Sequence, residues 1–132
     1  MPMRAAHIVY CALRAGEMES IKAGDGIVRG EGITTPTQHV VGSKHPTNPF
    51  VSTTRSLESA RFFATHGGLK PPGSIIAIDL SKVTKPVLDI STLATASAIL
   101  NHPRAMNFAV KHQEVLIKGG VNSEAIIEVV EE

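Results

Sequence analysis

The segment PFVSTTRSLESARFFA, which spans residues 49–64, decides the fold because a predicted strand passes directly into a predicted helix within it. Three hydroxyl side chains, Ser52, Thr53 and Thr54, stand at that junction. Strand alternation places the first and the third on one face of the strand and the second on the other. One of the outer two hydroxyls, or that of Ser56, is expected to cap the helix. From the residues alone, helix capping and contact with a ligand both remain open.

The elements around this junction predict the fold class. The helix after it has the clearest helical pattern of the chain, since Leu57, Ala60, Phe63 and Ala64 fall on one face. Further strands are predicted at residues 7–14, 75–80, 86–90, 114–119 and 124–130, and further helices at 16–24, from Thr35 onward, at 91–100 and at 103–112. The Gly-rich segment 24–32 is predicted to be a loop. Because helices and strands mix without regular alternation, we expect one α+β domain over residues 1–132.

The composition indicates a globular domain without charge-driven partners. Apolar residues make up 42% of the 132 residues and charged residues 19%, which are ordinary globular values. The net charge of +1 is too small to predict nucleic-acid or membrane binding through bulk electrostatics. No apolar run is long enough to span a bilayer. Cys11 is the single cysteine, so no disulfide can form within the chain.

Candidate chemistry is concentrated at two strand ends. Glu114 opens an apolar strand, and His112 lies two residues before it. If this segment is extended, both side chains lie on one face and could do acid–base or electrostatic work, although a solvated charge at the strand edge is the alternative. Arg14, at the end of the first strand, is either a solvated charge or an anion ligand. No standard Gly-rich phosphate loop is present, and the six histidines lack ligand spacing, so we expect no metal site.

Three segments taken in order resemble a known family. The chain contains VYCAL in its first strand, PFVSTT in a middle strand and QEVLI at the start of a late strand. This order resembles the ADP-ribosyltransferase fold of the arginine–serine–glutamate type, found in secreted bacterial toxins and in toxin domains of polymorphic systems. The resemblance covers residues 9–130 and implies two packed β-sheets that form an NAD cleft with flanking short helices.

The resemblance implies a role for each matching residue. Glu114 matches the catalytic glutamate, whose carboxylate binds the ribose 2′-hydroxyl and stabilises positive charge as the nicotinamide–ribose bond breaks. Ser52 matches the serine that braces this glutamate. NAD is then the substrate, and the reaction requires no metal. The resemblance also implies cofactor-binding positions at Tyr10, Cys11, Arg14, Ser52, Thr53, Thr54 and Phe63, with Phe62 as the alternative aromatic wall.

Two positions depart from the family pattern. Cys11 stands where the family has an arginine after the tyrosine, and a thiol cannot replace a guanidinium that binds phosphate. Arg14 or Arg55 is expected to take over this contact. His112 stands where transferases that modify arginine carry a second glutamate. This favours another acceptor, including a nucleic-acid group, or water.

The sequence therefore predicts an NAD-dependent toxin domain that transfers ADP-ribose to a protein or nucleic acid. Two alternatives are a glycohydrolase that depletes NAD and a binding module disabled by Cys11. The resemblance also implies a cognate immunity protein and no membrane partner. It further implies delivery by a larger secreted carrier and action in the cytoplasm of a target cell.

Overall fold

The computed structural model describes residues 7–29, 35–40, 49–65, 68 and 73–131. The strands are β1 (Ile8–Ala12), β2 (Ile27–Val28), β3 (Phe50–Thr54), β4 (Ile75–Asp79), β5 (Val87–Asp89), β6 (Glu114–Lys118), β7 (Gly120–Val121) and β8 (Ile126–Glu131). The helices are α1 (Glu17–Lys22), α2 (Pro36–Val40), α3 (Leu57–Ala64), α4 (Leu93–Ile99) and α5 (Pro103–Lys111), with short 3₁₀ helices at Leu80–Lys82 and Ser123–Ala125. The predicted α+β class is confirmed.

The main sheet contains six strands in the order β5-β6-β3-β1-β4-β8, and each neighbouring pair is antiparallel. Strand β3, which carries the hydroxyl run, lies between β1 and β6. Thr54 pairs with Tyr10 on one side and with Glu114 on the other. The register therefore brings the hydroxyl run beside the start of the strand that Glu114 opens.

The two faces of this sheet are covered differently. Val9, Val51 and Ile117 point into a core shared with the second sheet, formed by β2 and β7. Tyr10 packs on the opposite face against Ala60 of α3. Helices α4 and α5 cover that same face through a separate apolar cluster around Leu116. Because side chains alternate along a strand, Ser52, Thr54 and Glu114 lie on this helix-covered face.

Strand β2 lies in the segment 24–32 that was predicted to be a loop, and it pairs with β7 in a small second sheet. Ile27 pairs with Val121 and Val28 with Gly120. Gly120 has a φ of 128°, and a Cβ there would collide with the carbonyl oxygen of Ile27. Glycine permits this close approach of the two backbones. Because glycine is usually associated with loops, the sequence does not indicate the strand.

The helix caps agree with the predicted capping chemistry. Ser56 caps α3, its hydroxyl accepting a hydrogen bond of 3.1 Å from the Ser59 amide. Thr35 and Gln38 form a capping box at the start of α2, which was predicted to begin there, with bonds of 3.1 and 2.9 Å. Within the described residues, every helix is too short or too polar to cross a bilayer.

Candidate active site

Two hydroxyls of the β3 run bind the start of β6. The Ser52 hydroxyl donates to Oε2 of Glu114 at 3.0 Å. The fully buried Thr53 hydroxyl donates to the carbonyl oxygen of Val115 at 2.7 Å. One hydroxyl therefore holds the carboxylate of Glu114, and the next fixes the backbone beside it.

The third hydroxyl fixes the turn that leads into β6. Thr54 donates to the carbonyl oxygen of His112 and accepts a 3.0 Å hydrogen bond from the Ser56 amide. The Arg55 amide donates to the carbonyl oxygen of Gln113 at 3.1 Å. These hydrogen bonds therefore fix the backbone of residues 112 and 113 against the end of β3. All three hydroxyls serve this segment, and the cap of α3 is left to Ser56.

The carboxyl group of Glu114 is buried and only half satisfied. The residue is 2% exposed, and its Oε1 has no hydrogen-bond partner among the described residues. Burial raises the pKa of Glu114 to about 7, although the hydrogen bond from Ser52 opposes the rise. Buried polar atoms are nearly always hydrogen-bonded in folded proteins. A buried carboxyl group with a free oxygen and a pKa near neutrality is typical of a functional site.

His39 completes a hydrogen-bonded chain that the sequence analysis missed. Its Nε2 lies 2.5 Å from the Ser52 hydroxyl oxygen. Ser52 has one proton and gives it to Glu114, so Nε2 must donate. The ring packs edge-on against Phe50, with centroids 5.7 Å apart. No local sequence pattern marks His39, because its contact with Ser52 joins two separate elements, α2 and β3.

The segment from His112 to Glu114 is not extended, so the condition for placing both side chains on one face is not met. The catalytic role of His112 stays a prediction. α5 ends at Lys111, and Gln113 has a φ of 48°, so the segment turns instead of extending. The Nδ1 of His112 lies 3.0 Å from the Ser59 hydroxyl. Burial, and secondarily the charge of Lys111, lowers the pKa of His112. The imidazole is therefore a packed, hydrogen-bonded group between α3 and α5.

Aromatic rings surround this imidazole. Phe62 stacks on His112 with ring centroids 4.9 Å apart, and Phe63 stacks on Phe108 with centroids 6.0 Å apart. Phe63 thus lies in this aromatic cluster, and Tyr10 packs against α3. Their roles as cofactor-binding residues stay predictions.

Cys11 is a core residue. It is 2% exposed and packs in the same cluster as Val9 and Ile76. Burial raises the pKa of its thiol to about 12. The thiol is therefore neutral at physiological pH, and it faces away from the helix-covered face that carries Glu114.

The two arginines expected to replace the missing one occupy different places. Arg55 forms an ion pair of 2.8 Å with Asp89 on β5. Arg14 follows β1, and its backbone amide donates to Oε1 of Glu17 at 2.7 Å. Arg29 was not singled out from the sequence, yet its side chain is only 8% exposed.

The part of the chain that the structure describes holds no group of three or more His, Cys, Asp or Glu side chains arranged for a metal ion. What it does bring together is one carboxyl group, one hydroxyl and one imidazole in a continuous hydrogen-bonded chain. This arrangement can stabilise a positive charge that develops beside Glu114.

A family model described as a domain of unknown function, DUF7587, matches residues 10–132. The chain belongs to the DUF7587 family. No curated protein matches this DUF7587 sequence significantly.

Solved structures share the fold of this DUF7587 domain. EcPltA matches with a TM-score of 0.67 and 17% identity, over 95% of this chain and 75% of that chain. The scabin toxin from Streptomyces scabies, in complex with NADH, matches with a TM-score of 0.57 and 19% identity, over 92% of this chain. The DUF7587 chain spans 62% of the scabin chain. These matches show that the domain has the ADP-ribosyltransferase toxin fold.

Proposed function

We propose that this domain cleaves the nicotinamide–ribose bond of NAD and transfers ADP-ribose to a macromolecular acceptor. The observation that carries the proposal is the buried Glu114 carboxyl group, with Oε2 held by Ser52 and Oε1 lacking a partner among the described residues. A free, buried carboxylate oxygen fits a hydroxyl donor such as the ribose 2′-hydroxyl. The fold shared with the scabin toxin, whose structure contains NADH, supports a dinucleotide as the substrate.

The proposed role of Glu114 follows from where positive charge develops during the reaction. When the bond between nicotinamide and C1′ of ribose breaks, its electron pair leaves with nicotinamide, which becomes neutral. Positive charge then develops on the ribose ring. The ionised Glu114 carboxylate, fixed by Ser52, stabilises that charge through the 2′-hydroxyl in a buried site where electrostatic interactions are strong. The acceptor then bonds to C1′ and releases its proton.

The surroundings of Glu114 favour an acceptor other than arginine. Transferases of arginine are expected to carry a second carboxylate two residues before the catalytic one, and His112 occupies that place. Its imidazole is bound to Ser59 and enclosed by Phe62, Phe63 and Phe108. The position therefore offers no carboxylate to an incoming guanidinium. A nucleic-acid group or water is the better candidate, so NAD hydrolysis is the second candidate function.

The wider biological role rests on the resemblance alone. A toxin function, delivery by a larger secreted protein, action in a target-cell cytoplasm and a cognate immunity protein stay predictions. They become testable once NAD cleavage is established.

The deciding experiment is nicotinamide release from NAD by the purified domain, beside Glu114→Gln and a matched control. Glu128→Gln is that control, since Glu128 is an exposed carboxylate on β8. We expect Glu114→Gln to slow release by roughly 100-fold or more and the control to leave it unchanged. Adding cell lysate distinguishes transfer, which labels a macromolecule, from hydrolysis, which yields free ADP-ribose. If the two variants release nicotinamide equally, the catalytic assignment is wrong.

A further inference from the structure

Two backbone amides hold the chain at the start of β6. The Arg55 amide donates to the carbonyl oxygen of Gln113 at 3.1 Å, and the Ile90 amide donates to that of Glu114, also at 3.1 Å. Arg55 follows β3 and Ile90 follows β5, so the two donors approach β6 from opposite sides. The peptide carbonyl groups immediately before and immediately after the Glu114 side chain are therefore both fixed.

An ion pair joins the two flanking segments across β6. Nη2 of Arg55 donates to Oδ2 of Asp89 at 2.8 Å, and Nε of Arg55 donates to the Ser91 hydroxyl at 3.4 Å. Oδ1 of Asp89 accepts from the Ser91 amide at 3.0 Å and from the Ser91 hydroxyl at 2.5 Å. Strands β3 and β5 are two strand spacings apart, about 10 Å, so the Arg55 side chain must extend over β6. We call Arg55, Asp89 and Ser91 the cross-strand bridge.

Asp89 lies on the sheet face away from the Glu114 carboxyl group. It pairs with Val115, and paired residues on neighbouring strands point to the same face. Val115 points into the core shared with the second sheet, whereas Glu114 lies on the helix-covered face. The pKa of Glu114 is set by burial and by the hydrogen bond from Ser52. The cross-strand bridge therefore acts on this carboxyl group through the backbone that carries it.

The backbone beside Glu114 needs this support. Gln113 has a φ of 48°, a left-handed conformation that is unfavourable for a residue with a Cβ. Residues keep such conformations where surrounding contacts fix them, and these positions are concentrated at active sites. We infer that Arg55 and Asp89 are positioning residues, which fix the backbone on either side of Glu114 and thereby hold its carboxyl group in place. The inference rests on the proposed function, in which this carboxyl group is catalytic.

NMR titration of the Glu114 carboxyl carbon, in protein labelled with ¹³C-glutamate, tests this role without requiring activity. Glu114→Gln assigns the signal, and the parent should titrate at about pH 7. Arg55→Gln and Asp89→Asn each remove one charge of the cross-strand bridge. In both variants we expect the midpoint to rise by up to about one pH unit, because a displaced carboxyl group loses part of the hydrogen bond that favours its ionised form.

The two single variants also distinguish positioning from a direct charge effect. Removing a nearby cation raises the midpoint of a carboxyl group and removing a nearby anion lowers it, so a direct effect would act in opposite directions. The double variant should match the single variants, because all three lose the same bridge. The matched control is Arg61→Gln, which breaks a 2.7 Å ion pair with Glu131 between α3 and β8 and should leave the midpoint unchanged.

Nicotinamide release, measured in parallel, gives a kinetic readout of the same role. Neither Arg55 nor Asp89 is proposed to touch the substrate, so KM for NAD should stay the same in both single variants. A misplaced catalytic group should lower kcat roughly 10- to 100-fold.

Opposite shifts of the midpoint in the two single variants, no shift in either, or an equal shift in Arg61→Gln would overturn the inference. So would a double variant whose shift is the sum of the two. Raised, non-additive midpoints without release by the parent support the positioning of Glu114 and contradict the proposed function. Release that depends on Glu114 but keeps the parent kcat in both single variants supports the function and contradicts the inference.

Discussion

The Ser52 hydroxyl donates a hydrogen bond of 3.0 Å to the Glu114 carboxyl group across 62 residues of sequence. This contact joins two neighbouring strands at the one buried carboxyl group among the described residues. The Ser52 hydroxyl also contacts His39, whose Nε2 lies 2.5 Å from the hydroxyl oxygen. The protonation state of Glu114 and the orientation of its carboxyl group therefore depend on β3 and α2 together.

The rate of nicotinamide release should rise with pH. The pKa of Glu114 is raised to about 7 by burial, so the catalytic carboxylate forms as the pH passes through that value. Ser52→Ala removes the hydrogen bond that favours the ionised form, and this should move the rise to higher pH. At pH 7 we expect release to slow roughly 10- to 100-fold, from the loss of a hydrogen bond to a charged group. An unshifted pH–rate profile would contradict the role of Ser52.

The stability of the protein should depend on pH through the same carboxyl group. Between pH 4.5 and about 7, Glu114 stays protonated in the folded protein and ionises in the unfolded chain. Its contribution to stability is therefore fully present below pH 4.5 and is lost as the pH rises through 7. Glu114→Gln cannot ionise, so at pH 8 it should exceed the parent in free energy of unfolding by up to about 3 kcal/mol.

Urea denaturation at pH 4, 6 and 8 measures this difference. Glu128→Gln, on the exposed part of β8, is the control and should show no pH-dependent gain. A difference between Glu114→Gln and the parent that stays constant over this pH range would show that the folded-state pKa of Glu114 is not raised.

Thr54 should contribute to stability through its hydroxyl more than through its methyl group. Thr54→Val leaves the His112 carbonyl oxygen and the Ser56 amide without this partner, at a cost of about 1–3 kcal/mol in the free energy of unfolding. Thr54→Ser keeps the hydroxyl and should cost only about 1 kcal/mol. Chemical denaturation of both variants decides the matter. If Thr54→Val is more stable than Thr54→Ser, the hydrogen bonds of the Thr54 hydroxyl do not stabilise the protein.

Cys11→Arg should not restore a missing phosphate contact. Cys11 is 2% exposed in a close-packed cluster, and Arg14 and Arg29 are near enough to influence the pKa of its thiol. A third guanidinium would be buried without a partner, and we expect a loss of about 3 kcal/mol or more in the free energy of unfolding. Cys11→Ala, the control, should lose only about 1 kcal/mol. Thermal unfolding and nicotinamide release should be measured together; a stable, more active arginine variant would refute this reading.

The contact of His39 should depend on a donor at the Nε2 position. His39→Ala removes the hydrogen bond to Ser52, and we expect nicotinamide release to slow roughly 10-fold. His39→Gln carries an amide N–H that can reach a similar place and should retain more activity. The kcat of both variants at saturating NAD measures the difference. Equal rates in the two variants would show that the donor is unimportant.

Local sequence patterns were enough for the regular elements. The hydroxyl run ahead of an amphipathic helix correctly placed β3 and α3, and the helix predicted from Thr35 onward is found as α2. The pattern failed at Gln113, because one residue with a left-handed φ ended the extended segment expected from His112 to Glu114. It failed again at β2, where a Gly-rich composition conceals a strand that forms only against β7.

The sequence by itself determined the α+β class, because strand ends, helix caps and apolar periodicity are encoded within a few neighbouring residues. Ser52 and Glu114 were indicated by the resemblance to the ADP-ribosyltransferase family. The tertiary structure decided which side chains meet. It joined His39 to Ser52, placed Arg29 against the Phe50 carbonyl and buried Cys11 in the core. Strand order and register fix these contacts. Strand order and register themselves depend on the burial of apolar side chains from the whole chain. No local pattern contains that information.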